Sequence, residues 1–404
     1  MNSRRSAITI ISSIVLCVFL LIKCIDKESH ETAIIGSSWN KFAGSASCAG
    51  CHKKIYQSHI QTAHYLTSRP ASQESIKGNF ETGKNTFLFK DGTEIVMEKR
   101  DSSFYQVEYI DSVKKMNRRM DIVFGSGNKG QSFLNWYNNR LLQLPITFFT
   151  SADQWSNSPG FPERAVFNRP ITSRCMECHT TYTLQVSDPT NEWEEFDRSK
   201  ILYGVNCEKC HGPAAKHVQF QSQHPQETQG KYIVNLARLS RQQNIDMCAL
   251  CHGGRLSKKR PSFVFGPGDT LSNFFSIDST SNDAVNIDVH GNQYGLLAAS
   301  KCFKNSVMTC SNCHNPHENE TGKLALFSQR CINCHNSEHG NFCKMSDQIG
   351  SSIVKNCIDC HMPEQPSRSI AVMLQGASTP TPALMRSHFI KIYPQETKKF
   401  LHVK

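Results

Sequence analysis

Cys357-Ile358-Asp359-Cys360-His361 is the last of seven like stretches. The same spacing recurs at Cys48/Cys51/His52, Cys175/Cys178/His179, Cys207/Cys210/His211, Cys248/Cys251/His252, Cys310/Cys313/His314 and Cys331/Cys334/His335. C-x-x-C-H is the attachment pattern for c-type haem. The two thiols add across the haem vinyl groups, and the adjacent histidine reaches the iron from one side. The Cys and His content of the chain would produce roughly 0.03 such matches by chance, against the seven present. Zinc knuckles and thiol redox pairs also use C-x-x-C, but neither requires a histidine directly after the second cysteine every time. The sequence therefore predicts seven covalently attached haems c.

That prediction bears on the fold. Apolar residues make up 38% of the 404 residues, modest for a chain of this length. Seven porphyrins supply large flat apolar faces, so the cofactors are expected to form much of the core, with little folded structure without them. The expected class is α+β with low regular secondary structure: haem-packed, mostly short helices and loops, with a β-meander inserted between haem 1 and haem 2. The net charge of +11 would ordinarily point to an acidic partner. Seven ferric haems with their propionates subtract about seven charges, which leaves a mildly basic holoprotein. No nucleic-acid recognition motif accompanies the charge, so nucleic acid is not expected as a partner.

Read in order, residues 1–24 form a signal or anchor segment. Arg4 and Arg5 precede an apolar run from Ala7 to Ile22, short for a membrane span. Cys24 follows at once and resembles a bacterial lipoprotein attachment site, with Lys23 departing from the usual small residue. Membrane association through this segment is expected, with the rest exported to the periplasm or the cell surface. Residues 25–41 are a polar tether. Residues 42–71 hold the first haem motif and a helix expected over Lys53–Leu66.

Residues 72–165 contain neither Cys nor His, and their periodicity switches to two. Strands are expected at Thr86–Lys90, Glu94–Lys99, Tyr105–Ile110, Asp121–Phe124, Ser132–Tyr137 and Leu141–Phe149, with Trp136 and Trp155 giving the insert a small core of its own. It would shield haem edges or serve as a docking face. Residues 166–404 form the six-haem domain, short helices and loops, with Gln221–Gly230 and Gly266–Ala284 as surface excursions. Of the eighteen cysteines, fourteen belong to the motifs, and Cys17 and Cys24 lie in the N-terminal segment. Cys302 and Cys343 remain, and an exported protein would pair them as a disulfide.

A haem iron takes two axial ligands, and what fills the second position separates electron carriage from chemistry. Ten histidines lie outside the motifs. His317, His217 and His339 follow motif histidines too closely to reach the far side of their own iron, so each would serve a neighbouring haem. That requires closely packed haems, the arrangement fast electron hopping needs. The expected distal ligands are His64, His217, His290, His317, His339 and His388. His59 is the leading residue for the seventh site; a methionine there, or an open position, is the alternative. His30 and His402 lie in the tails, and His224 in a polar loop.

The run Phe42 to His52 with Gln61-Thr-Ala-His64, the stretch Gly204 to His217, Cys313-His-Asn-Pro-His317, and Asn356 to Pro363 with the later His388 together resemble the cytochrome c-552/c-554-type multihaem cytochromes. The resemblance spans most of Phe42–Ile392. It implies close haem pairs, many bis-histidine ligated, and supports His64, His217, His317 and His388 as distal ligands. The chain lacks any C-x-x-C-K site, the mark of the ammonia-forming nitrite reductases among more distant relatives.

The expected function is an exported heptahaem cytochrome that transfers electrons in a respiratory chain between redox partner proteins. The alternatives are a reductase acting on a small nitrogen or sulfur oxyanion at one haem with an open distal face, and a haem-wiring subunit of a larger redox complex.

Overall fold

A computed structural model describes residues 39–188, 193–277 and 286–401. The expected signal or anchor segment, Cys17, Cys24, most of the tether, His30 and His402 lie outside the described residues. No described helix is long and apolar enough to cross a membrane. The chain divides into two compact units. The smaller contains, among its described residues, 39–43 and Pro213–Tyr232. Its helix Ala215–Gln223 covers the start of what the sequence suggests is an open polar loop. The larger unit holds Gly44–Gly212 and Ile233–Lys404.

Within the larger unit, the segment between the first two motifs folds as two antiparallel sheets. Strands Thr86–Leu88, Glu94–Arg100, Ser103–Ile110 and Val113–Arg119 form a four-stranded meander in chain order. The second sheet has seven strands, with Gly130–Tyr137 pairing Ile122–Phe124, Arg140–Gln143 and Ile146–Phe149. The expected single strand Leu141–Phe149 is two strands, because Pro145 has no N–H to give a ladder. The strand Val113–Arg119 was not expected. It is an edge whose residues are largely exposed, so no apolar alternation marks it.

The insert has its own core. Ile95, Met97, Phe104, Val123, Phe133, Leu144, Ile146, Phe148 and Trp155 are buried in one cluster. Side chains of this size contribute about 1.5–3 kcal/mol each when fully buried. The Trp155 indole donates to the Asn79 carbonyl at 2.7 Å. Gly78 lies against that ring, where any Cβ would collide with it. Trp136 packs instead against a second cluster that includes Leu134, Leu141, Met176 and Phe196. This part of the chain is closed by protein side chains alone, so the expectation of little folded structure without haem does not extend to it.

The motif-bearing part is α+β with little regular structure. Besides short helices it has three two-stranded sheets that the sequence did not suggest: Thr180–Gln185 with Phe196–Tyr203, Leu256–Lys258 with Phe275–Ile277, and Glu364–Val372 with Thr381–Arg386. The first half of the expected excursion Gly266–Ala284 is core, since Leu271 and Phe275 are buried beside Leu250 and Leu256. Residues 278–285 lie outside the described residues. Between Phe303 and Ile358, by contrast, no described apolar side chain is buried, and only Glu320 and Ser328 are.

Candidate haem-binding sites

Each motif sits on a tight helical turn. The histidine amide donates to the carbonyl of the first cysteine in His52→Cys48 (2.8 Å), His314→Cys310 (2.9 Å), His335→Cys331 (2.8 Å) and His361→Cys357 (3.1 Å). One turn of helix brings positions i, i+3 and i+4 to a common face. Both thiols and the imidazole therefore lie on one side of the backbone. The second, third and fourth motifs end the helices Ser173–His179, Cys207–His211 and Arg241–His252. The last of these starts with a capping box between Ser240 and Gln243.

The motifs adjoin one another. Cys48 lies beside Cys207, Cys178 beside Cys251, and Cys248 beside Cys310. The first motif thus meets the third, the second the fourth, and the fourth the fifth. Residues inside the motifs brace these junctions. Glu208, buried, accepts from the Gly44 amide at 2.9 Å, just ahead of the first motif. Glu177, also buried, accepts from Arg174 and from the Phe263 amide.

Two motif cysteines stand out by their exposure. Cys51 and Cys334 are exposed, whereas the other twelve motif cysteines are partly covered. The causes are local. Cys51 lies on an outward turn between Gly50 and His52, both exposed, ahead of a helix whose first five residues are exposed or half-covered. Cys334 follows the helix Leu324–Ile332 in the stretch that buries no apolar side chain. Both keep the motif spacing and the helical turn, so the thiols remain placed for attachment, at the surface rather than inside it.

Three motif histidines face a second histidine. Ring centres are 6.2 Å apart for His211 and His317, 6.1 Å for His314 and His388, and 6.1 Å for His64 and His252. Two imidazoles sharing one metal, each nitrogen about 2 Å from it, have ring centres roughly 6 Å apart. The interplanar angles of 16°, 28° and 67° are all compatible, because each ring turns freely about the common axis. His290 is near enough to His179 to add to its lowering, and His179 lies flat on Phe124, ring centres 4.5 Å apart. His317 pairs with the histidine of another motif and not with His314 beside it, as its short spacing requires.

The ring nitrogens are set by their partners. The Nδ1 atoms of His211, His361 and His388 stand 3.2, 2.9 and 3.3 Å from the carbonyls of Val234, Lys391 and Arg386. His252 uses the Gln293 side-chain oxygen at 3.2 Å. A carbonyl partner keeps the proton on Nδ1 and leaves the Nε2 lone pair for a metal. Burial holds His64, His179 and His388 at about 4, well below the usual imidazole range. His252, His290, His314 and His317 are lowered for the same reason. The rings are neutral at neutral pH, the form that binds iron. His64, His252 and His314 present exposed surface, although the surrounding chain desolvates their rings. In the helix Leu324–Ile332 before the sixth motif, Leu326 is 37% exposed and only Ser328 is buried.

The remaining expected residues stand apart. His217 lies in the smaller unit with Nδ1 at 2.8 Å from the Lys231 carbonyl. His339 is exposed on a turn after His335, with its amide on the Asn336 side chain. Among the described residues no histidine ring faces His52, His335 or His361. His224 stacks on Phe220 of its own helix. The expected helix Lys53–Leu66 stops at His59. That residue is buried with Nδ1 3.1 Å from the Pro316 carbonyl and Nε2 3.2 Å from the Val205 carbonyl. Its ring centre is also 6.2 Å from that of His317, but both ring edges already stand against backbone carbonyls, so His59 is not assigned to the seventh distal position. Cys302 and Cys343 are free thiols, not a disulfide. Cys302 neighbours Cys313 and Cys331, whereas Cys343 neighbours Cys357 and Cys360. The bracing carbonyls of Val234, Arg386 and Lys391 carried no signal in the sequence, because any residue type supplies a carbonyl.

Comparison with known proteins finds multihaem cytochromes. Residues 162–212, which include the second and third motifs, match the family described as cytochrome c554 and c-prime. The multiheme cytochrome MtrA of Shewanella baltica (strain OS185) is 25% identical over 185 residues, 41% of this chain and 53% of that protein. The chain thus spans about half the length of that relative. The crystal structure of the outer cell wall cytochrome OcwA shares the fold, with a TM-score of 0.56 and 16% identity over 89% of this chain and 81% of that one.

Proposed function

For a chain that belongs to the multihaem c-type cytochromes, we propose the role of an exported heptahaem electron carrier. Its haems are closely packed, mostly bis-histidine ligated, and pass electrons between redox partner proteins of a respiratory chain. The haems, when bound, supply the one-electron chemistry. The fourteen motif cysteines hold them, and the motif histidines take one axial position each. His64, His317 and His388 take the second position opposite His252, His211 and His314. His290 does so opposite His179. His217 and His339 serve further sites. Backbone carbonyls orient the rings, and burial keeps them neutral.

The observation that carries this reading is the set of three ring pairs at 6.1–6.2 Å, each joining a motif histidine to one outside the motifs. Filled axial positions suit electron transfer better than substrate binding. The thiol contacts between motifs support short steps from haem to haem. Exposed Cys51 and Cys334 would leave their haems near the surface, where electrons enter or leave. The apolar run Ala7–Ile22 and Cys24 support export and membrane association. The outer cell wall setting of OcwA is in keeping with export.

The test is spectroelectrochemistry of the purified holoprotein with haem counted by intact mass. Seven haems per chain, all reduced reversibly and at potentials below the hydrogen-scale zero, are expected. Potentials well above zero for all haems, or a count below seven, would contradict the reading.

A further inference from the structure

His59 is a buried side chain left without a role by the reading above, 7% exposed. It ends the helix Lys53–His59 that follows the first motif. Its two ring nitrogens reach two distant segments: Nδ1 the Pro316 carbonyl at 3.1 Å, and Nε2 the Val205 carbonyl at 3.2 Å. Pro316 directly precedes His317. Val205 lies two residues ahead of Cys207, which opens the motif ending in His211. The two segments that carry the facing rings of His211 and His317 thus abut opposite edges of one imidazole, and a neutral imidazole donates its single N–H to one of the two carbonyls. The His59 ring also stands edge-on to His317, centres 6.2 Å apart at 69°, and to Tyr65, 5.9 Å apart at 81°.

The surroundings fix the clamp. Thr62 Oγ1 donates to the His59 carbonyl at 2.7 Å and accepts from the Tyr65 amide at 3.2 Å. The Val205 amide donates to the His64 carbonyl at 2.8 Å. Gly204, with φ of 67°, lies so close to the Tyr65 carbonyl that no Cβ could be placed there. Val205 is therefore held on both its amide and its carbonyl by the short turn from His59 to His64. Of the natural side chains, only imidazole carries polar nitrogens on two edges of a rigid ring.

We propose that His59 is a positioning residue. It sets the place and orientation of the His317 ring opposite His211 by wedging between the Pro316 and Val205 segments and donating its one N–H to one of their carbonyls. The inference rests on His317 and His211 sharing one iron. An outer-shell group that orients a ligand ring tunes the metal without touching it.

The experiment is EPR with potentiometric titration of the oxidised holoprotein, haem quantified, in four variants: His317→Ala, His59→Leu, His59→Gln and the double variant His59→Leu/His317→Ala. His317→Ala should convert one low-spin haem per chain to high spin. His59→Leu should shift the g-values and potential of that same low-spin signal and leave the others unchanged. The double variant should show no more high-spin haem than His317→Ala alone. His59→Gln, which keeps one polar contact, should give a smaller shift of the same signal, and it carries the test if His59→Leu fails to assemble. An unchanged signal in the His59 variants would reduce His59 to packing and overturn the proposal. A second high-spin haem in the double variant would make His59 a ligand in its own right and overturn it too. Absence of high-spin haem in His317→Ala would instead refute the ligand assignment, a separate failure.

Discussion

The imidazole rings of His211 and His317 face each other 6.2 Å apart and 16° from parallel, although one belongs to the third motif and the other follows the fifth. The pairing shows how the chain is built. His317 follows the fifth motif too closely to reach the far side of that site, and its ring faces the histidine of the third. His64, after the first motif, likewise faces His252 of the fourth, and His388, after the seventh, faces His314 of the fifth.

Removing a facing ring should open one iron and no other. His388→Ala should leave the haem count unchanged and convert one low-spin haem per chain to high spin. His64→Ala should convert a different one, so the double variant should show two. EPR of the oxidised variants checks this. Loss of the same signal in both would mean the two rings serve one site.

The insert should be destabilised independently of haem. Trp155→Ala removes an indole from the centre of the insert core and breaks its bond to Asn79. Such truncations cost about 3–5 kcal/mol. Gly78→Ala should weaken the same place by forcing a methyl into the ring. Denaturant unfolding followed by tryptophan fluorescence should show the early loss, while the haem absorption stays near that of the parent.

The ion pair of Glu320 with Arg330 is largely enclosed, with Arg330 also donating to the Cys313 carbonyl at 2.7 Å. Arg330 keeps the Glu320 carboxyl below the usual range. Glu320→Ala strands the guanidinium, and breaking a buried pair on one side costs about 3–5 kcal/mol. The loss should appear as a lower melting temperature of the holoprotein. A double replacement of the pair by apolar residues should recover much of it.

Cys302 and Cys343 should both react with iodoacetamide in denatured protein without prior reduction, because they stand in different neighbourhoods. Peptide mapping reads this directly. A peptide joining the two by a disulfide would contradict it.

The C-x-x-C-H motifs were legible in the sequence because covalent haem attachment demands that spacing. That Cys51 and Cys334 lie at the surface was not, since the motif is the same at every depth. That His317 sits too close to His314 to reach the far side of the same iron was legible, since three residues cannot span a porphyrin. Which motif it faces was not legible, because that depends on segments far apart in the chain. The strand Val113–Arg119 escaped notice because an exposed edge needs no apolar alternation. The place of His59 was hidden for a related reason. Its pattern is that of any histidine near a motif, and its two carbonyl partners belong to backbone that carries no residue signature.

The measurement that tests the central claim most directly is EPR of the oxidised, purified protein with haem quantified beside it. The account predicts low-spin signals that integrate to at least six of the seven haems per chain, one for each distal histidine named. High-spin signals from two or more haems per chain would contradict it.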